Sequence, residues 1–152
     1  MSLRLSIGLL CVAASVGPGA SHANAWTTEC KERRCGISIN VNDESQKQRL
    51  LTLAMLVNKD GSDPAILLTT PLGAALEPGV RLIVGQRELG LKFKVCYPDG
   101  CQAHASLAPA DLVEFRGAAN IDVRFFVQNN DKPLSAKIDI AGLSEAIDKA
   151  TK

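Results

Sequence analysis

The sequence predicts a mainly β domain: an antiparallel sandwich or barrel of about eight strands with one or two short helices. Three observations carry that reading. Apolar and polar residues alternate with period two along much of the chain, as where Ile37, Ile39 and Val41 alternate with Ser38 and Asn40. The alternating runs are short and are separated by clusters of Gly, Pro, Asn and Asp. Four of the five cysteines form two Cys-x4-Cys pairs, each beside such a run. Many short strands with turn signals between them suit a sandwich or a closed barrel.

The first 25 residues read as a secretory signal. Arg4 precedes an apolar stretch from Leu5 to Val16, Gly17-Pro18 breaks any helix, and Ala23-Asn24-Ala25 supplies small residues for cleavage after Ala25. The stretch is nearer a dozen residues than the roughly 20 a spanning helix needs. No later segment is apolar enough to span a bilayer. The expected mature chain, residues 26–152, is one exported domain. Cleavage removes Arg4 and Cys11 and leaves sixteen Lys/Arg against sixteen Asp/Glu. A net charge of zero argues against a nucleic-acid partner.

Along the mature chain the first hairpin joins Trp26–Cys30 to Cys35–Val41. With Cys30 facing Cys35, Thr28 faces Ile37 and Trp26 faces Ile39, so the apolar residues and both sulfurs share one face. A polar connection, Asn42 to Gln48, leads to the strand Arg49–Val57, apolar enough to be covered on both sides. Asn58-Lys-Asp-Gly-Ser-Asp-Pro64 is a turn, and Ala65–Thr70 a strand. Pro71-Leu-Gly and Glu77-Pro-Gly punctuate a loop before the strand Val80–Val84.

Leu89–Val95 and Ala103–Leu107 form a second hairpin. Pro98-Asp99-Gly100 suits a type I turn followed by a left-handed glycine, which sets Tyr97 opposite Cys101 and Val95 opposite Ala103. Pro109 to Arg116 is a short helix, with Pro109 in its first turn and Gly117 past its end. Ile121–Val127 and Leu134–Ile140 flank a turn at Gln-Asn-Asn-Asp. Leu143, Ala146, Ile147 and Ala150 line one face of a final helix.

An even set of cysteines in an exported chain reads as disulfides, not as a four-thiolate zinc site or a redox pair. Cys30, Cys35, Cys96 and Cys101 allow three pairings. Short-range closure favours Cys30–Cys35 with Cys96–Cys101, yet the register expected for the second hairpin turns Cys96 to the other face, with Lys92 and Lys94. A local bond there needs a bulge or a different loop.

No catalytic constellation assembles. The mature chain has one histidine, His104, on the polar face of its strand with Gln102 and Ser106. There is no Gly-x-Ser-x-Gly elbow, no phosphate loop, no metal-ligand set and no cofactor motif. Asn58, Asp60 and Asp63 are a weak calcium hint beside the plainer reading of solvated turn residues. The one candidate binding element is the basic tip Lys31, Arg33 and Arg34, diluted by Glu32 and by Asp43 and Glu44 near Lys47.

Several stretches together resemble the invasion-associated locus B family of exported bacterial proteins. They are Trp26 before Cys30, Cys35 opening a strand, Arg49-Leu-Leu, Thr70-Pro-Leu-Gly-Ala-Ala-Leu-Glu-Pro-Gly-Val80, Phe93-Lys-Val-Cys-Tyr-Pro-Asp-Gly-Cys-Gln-Ala103 and Ile138-Asp-Ile-Ala-Gly-Leu-Ser-Glu-Ala-Ile147. The Pro-Leu-Gly and Cys-x3-Gly-Cys segments are the specific parts. Two features depart from the family pattern: the short connection between Cys30 and Cys35, and Leu143 in place of an aromatic residue. The resemblance implies a β-rich periplasmic or surface protein, tied in some pathogens to entry into host cells, notably red cells. It carries over no catalytic residue. The expected function is a non-enzymatic binding or accessory protein of the envelope with an unidentified protein or envelope partner. The rivals are a periplasmic enzyme with an unrecognised site and a structural envelope component.

Overall fold

A computed structural model describes residues 26–42 and 49–152. The signal segment and the connection holding Asp43, Glu44 and Lys47 lie outside the described residues. Nine strands and two helices follow in order: β1 Thr27–Lys31, β2 Arg34–Asn42, β3 Arg49–Asn58, β4 Ala65–Thr70, β5 Val80–Val84, β6 Arg87–Tyr97, β7 Gly100–Ser106, α1 Pro109–Gly117, β8 Asn120–Phe125, β9 Leu134–Asp139 and α2 Leu143–Ala150.

The strands form one curled antiparallel sheet in the order β1-β2-β3-β4-β7-β6-β5-β8-β9. It is a half-barrel, not two stacked layers. Period two explains why it curls around a core. Inward residues such as Ile37, Leu53, Met55, Leu68, Leu82, Ala103, Ile121 and Val123 are all buried and belong to one continuous cluster.

The helices close one end. Phe115 of α1 and Leu143, Ala146, Ile147 and Ala150 of α2 are buried in that cluster. Helix α2 leaves edge strand β9 and packs against β1, β2 and β3, so it carries the chain across the gap between the two sheet edges. Trp26 does not pair with Ile39 as the hairpin register predicts. The ladder begins at Thr27↔Ser38, and the Trp26 indole N–H donates to the Ala141 carbonyl at 3.0 Å, just ahead of α2. The indole is half-buried against the core, and the turn before α2 offers its N–H an acceptor.

The second hairpin corrects the expected register. Its turn is only Pro98-Asp99, so Tyr97 faces Gly100 and Cys96 faces Cys101, with Val95 opposite Gln102. A bulge between Phe93 and Val95 then resets the phase, and Phe93 faces Ala103. One extra residue reverses the facing of everything beyond it. The bulge therefore lets the cysteines stand opposite each other while Phe93 still packs against the core.

Candidate functional site

Both pairs of sulfurs are joined within their own hairpins, Cys30–Cys35 and Cys96–Cys101. Each pair stands directly across an antiparallel ladder, with Cα atoms 4.0 and 3.9 Å apart. The two bonds lie at opposite ends of the sheet. Closing so short a loop restrains the unfolded chain by about 2 kcal/mol per bond in the chain-entropy account. Bonded sulfurs supply rigidity, not a nucleophile or a metal ligand. The Cys35 sulfur is buried and lies 3.4 Å from the Ala150 carbonyl oxygen, against the last turn of α2.

The basic tip Lys31, Arg33 and Arg34 is at the helix-closed end. Glu32 and Arg33 form its two-residue turn, with Glu32 at φ 49°. Arg33 lies 3.3 Å from Asp60, and its carbonyl accepts from the Lys59 N–H at 2.8 Å. Arg34 donates to the Asn58 side-chain oxygen at 3.3 Å. The β3–β4 turn therefore engages two of the three basic residues. Arg34 and Lys31 also border a shallow outer depression with Glu29, Gly36, Ser38 and Ala54. Arg33 and Asp60 are both well exposed, so Arg33→Ala changes stability by less than about 0.5 kcal/mol; urea unfolding checks this.

Asn58, Asp60 and Asp63 do not converge on an open space. The Asn58 amide donates to Ser62 at 2.9 Å and to Asp63 at 3.2 Å, and Asp60 accepts from the Ser62 hydroxyl and backbone. Those bonds from Ser62, helped by Arg33, hold the Asp60 carboxyl below its usual range. Among the described residues no group of three or more His, Cys, Asp or Glu could hold a metal ion. His104 is exposed on the outer side of β7, between Leu67 of β4 and Lys92 of β6, with no carboxylate directly across either ladder.

Asp111 is the one buried carboxylate among the described residues, and its partners mark it as structural. It sits at the third position of α1 and accepts from the Ala108 N–H at 2.8 Å, one half of a capping box. Arg87, on the β5–β6 hairpin, donates to it at 2.7 and 2.9 Å. Burial is the largest influence and favours the neutral acid. The bonds from Ala108 and Arg87 together outweigh it, and the carboxyl titrates below its ordinary range. A depressed carboxylate stabilises the fold above about pH 4 and loses that contribution as pH falls through its folded value. Asp111→Ala therefore costs about 2 kcal/mol at pH 7 by urea unfolding, and the gap from wild type narrows below about pH 4.

The opposite end of the sheet carries features that no sequence motif marks. Here β4, β6 and β8 finish and β5, β7 and β9 begin, and the connecting loops form a rim. Among the described residues six large apolar side chains stand exposed, and five of them, Leu72, Leu76, Val95, Tyr97 and Leu134, lie at this rim. Only Val113, on α1, is elsewhere. Two clefts flank the 71–79 loop, one lined by Pro78, Phe126 and Val127, the other by Leu76, Pro78, Leu91 and Phe93. A signal existed in the sequence. Leu72 and Leu76 fall in a Pro/Gly-punctuated loop, where no strand periodicity turns an apolar side chain inward.

Comparison with known proteins converges on one group. The family model for invasion associated locus B (IalB) protein matches residues 23–151. Invasion protein B homologues from Brucella abortus (strain 2308) and Brucella abortus biovar 1 (strain 9-941) are each 28% identical over 146 residues. Each alignment covers 90% of this chain and 84% of the relative. The crystal structure of invasion associated protein b from Bartonella henselae superposes with a TM-score of 0.73 at 19% identity. That match covers 86% of this chain and 94% of the other, and it shows the same fold.

Proposed function

The chain belongs to the invasion associated locus B family, and on that premise we propose that it is an exported, non-enzymatic binding protein of the bacterial envelope. It holds a protein partner at the loop-bearing rim. One observation carries the choice of surface: five of the six exposed large apolar side chains among the described residues gather there. Scattered exposed apolar residues need no explanation, whereas a concentration of them at one end marks an interaction surface. Two disulfides and a single packed core hold the sheet that presents it, which lowers the ordering cost of binding.

Binding rather than catalysis is supported by the surroundings of His104, which faces Leu67 and Lys92, and by the structural bonds that engage Asp111. Export is supported by residues 1–25, which read as a cleavable signal, and none of the described helices is long and apolar enough to cross a membrane. The curated relatives are named as invasion protein homologues, so the proposed partners include host-cell surface proteins as well as envelope proteins.

A photo-crosslinking residue placed at Leu76, at Lys31 or at Val113 in the exported protein tests the surface. The expected result is a discrete protein adduct from Leu76 alone, at least about tenfold above the other two positions, and lost in Leu72→Asp/Leu76→Asp protein of unchanged Tm. A discrete adduct from Lys31 with none from Leu76 moves the site to the basic tip and overturns the rim. Intact mass of the exported protein checks cleavage after Ala25.

A further inference from the structure

Strand β6 outruns its neighbour β5, and the excess leaves a strand edge open. Pairing of β5 with β6 stops at Val80↔Leu91, whereas β6 continues along β7 to Tyr97. Gly79 marks the stop. Its φ is +69°, and a β-carbon there would lie 2.5 Å from the Leu91 carbonyl oxygen. Before Gly79 the chain is held elsewhere. The Ala75 N–H donates to Phe126 at 2.8 Å and the Gln128 N–H to Gly73 at 2.9 Å, tying the loop to the continuation of β8. Between that loop and β6 lies a cleft of about 460 Å³ lined by Leu76, Pro78, Gly79, Gly90, Lys92 and Phe93. Among the described residues no strand pairs with Lys92–Tyr97 on this side.

The chemistry of the edge is specific. Cys96 and Cys101 are 3.9 Å apart at Cα, the close spacing of a non-hydrogen-bonded pair. The Cys96 N–H and C=O therefore point away from β7, toward the open side. Val95 and Tyr97 stand exposed beside Lys92 and Lys94, and neither lysine makes an ion pair among the described residues.

Building on the rim reading, we infer that an extended segment of the partner protein adds as a strand along Lys92–Tyr97, with acidic and apolar residues together on its outward face. Backbone bonds to the open edge supply affinity, and alternate side chains supply selectivity. Lys92, Val95 and Tyr97, opposite His104, Gln102 and Gly100, share the outer face of β6, so the outward positions of the added strand carry an acidic residue beside Lys92 and apolar residues beside Val95 and Tyr97. A second copy using the same edge is disfavoured, because it would bring lysine against lysine, and the bulge interrupts a regular ladder.

The test titrates isotope-labelled mature protein with a peptide of about eight residues that carries Thr at every second position and Glu, Val and Tyr at the positions between. Two controls accompany it, one N-methylated on alternate backbone nitrogens and one with Lys in place of Glu. The expected result is shifted amides from Lys92 to Tyr97, slowed exchange at Cys96, and affinity weakened about tenfold or more by N-methylation, by the Lys peptide and by Lys92→Glu/Lys94→Glu. Equal binding of the N-methylated peptide, or shifts confined to other strands, overturns strand addition. Movement of the same amides by phosphatidylglycerol vesicles but not by the peptide overturns it in favour of a lipid surface. A crosslink from Leu76 with no peptide effect on β6 defeats strand addition and leaves the rim reading standing. Loss of both defeats both.

Discussion

Phe115→Ala lowers the free energy of unfolding by about 4 kcal/mol, measured by urea denaturation of the oxidised protein. Phe115 is 1% exposed and is the largest of the fully buried side chains. It projects from α1, whose partner helix α2 is tied to it by Arg116, donating to Asp148 at 2.8 Å and to the Ser144 hydroxyl at 3.2 Å. The phenyl ring therefore fills the core where the helices close the half-barrel. Surrounding residues belong to two helices and a sheet, so they cannot collapse together into the space, and most of the cavity persists. Phe115→Leu, which keeps most of the volume, costs less than half as much. A loss below about 1 kcal/mol for the alanine variant would mean that this end of the sheet is not packed as described.

Gly100→Ala destabilises by about 3 kcal/mol for a different reason. Gly100 opens β7 at φ +145°, a backbone conformation that residues with a β-carbon rarely adopt. An added β-carbon would lie 2.2 Å from the Thr70 carbonyl oxygen on β4. Backbone on both strands must move, which disturbs the Thr70↔Cys101 pairing and the Cys96–Cys101 hairpin beside it. Gly73→Ala is the matched control. It also sits at positive φ, but with open space around its missing β-carbon, so its cost stays near 1 kcal/mol. Thermal unfolding of the two variants separates steric clash from backbone preference, and equal losses would remove the clash as the cause.

How far the sequence can be read depends on how local each feature is. The helix Pro109–Gly117 is marked by a proline at its start and a glycine at its last position, and α2 by one apolar face, all within a few turns of chain. Hairpin β1–β2 follows from its own alternation. Hairpin β6–β7 does not, because two registers each satisfy part of its pattern. One keeps an unbroken apolar face and the other aligns the cysteines. The bulge between Phe93 and Val95 allows both, and alternation alone carries no mark of an extra residue. The hydrogen bond of Trp26 escapes local pattern for a related reason: its partner, Ala141, lies 115 positions away.

The candidate surface divides in the same way. Lys31, Arg33 and Arg34 are conspicuous as charges, yet their partners Asp60 and Asn58 come from another hairpin. The rim is inconspicuous because it is assembled from the 71–79 loop, the end of β6 and the start of β9.

Alternation, turn residues and paired cysteines determined by themselves that this chain forms short antiparallel strands with two helices around one core, since each signal acts between near neighbours. Only the tertiary structure decided that β4 pairs with β7, that β5 lies between β6 and β8, and that β6 keeps one side open beyond Leu91. A period of two says which face a residue presents and nothing about which strand lies beside it. That choice is made by packing between residues far apart in the chain.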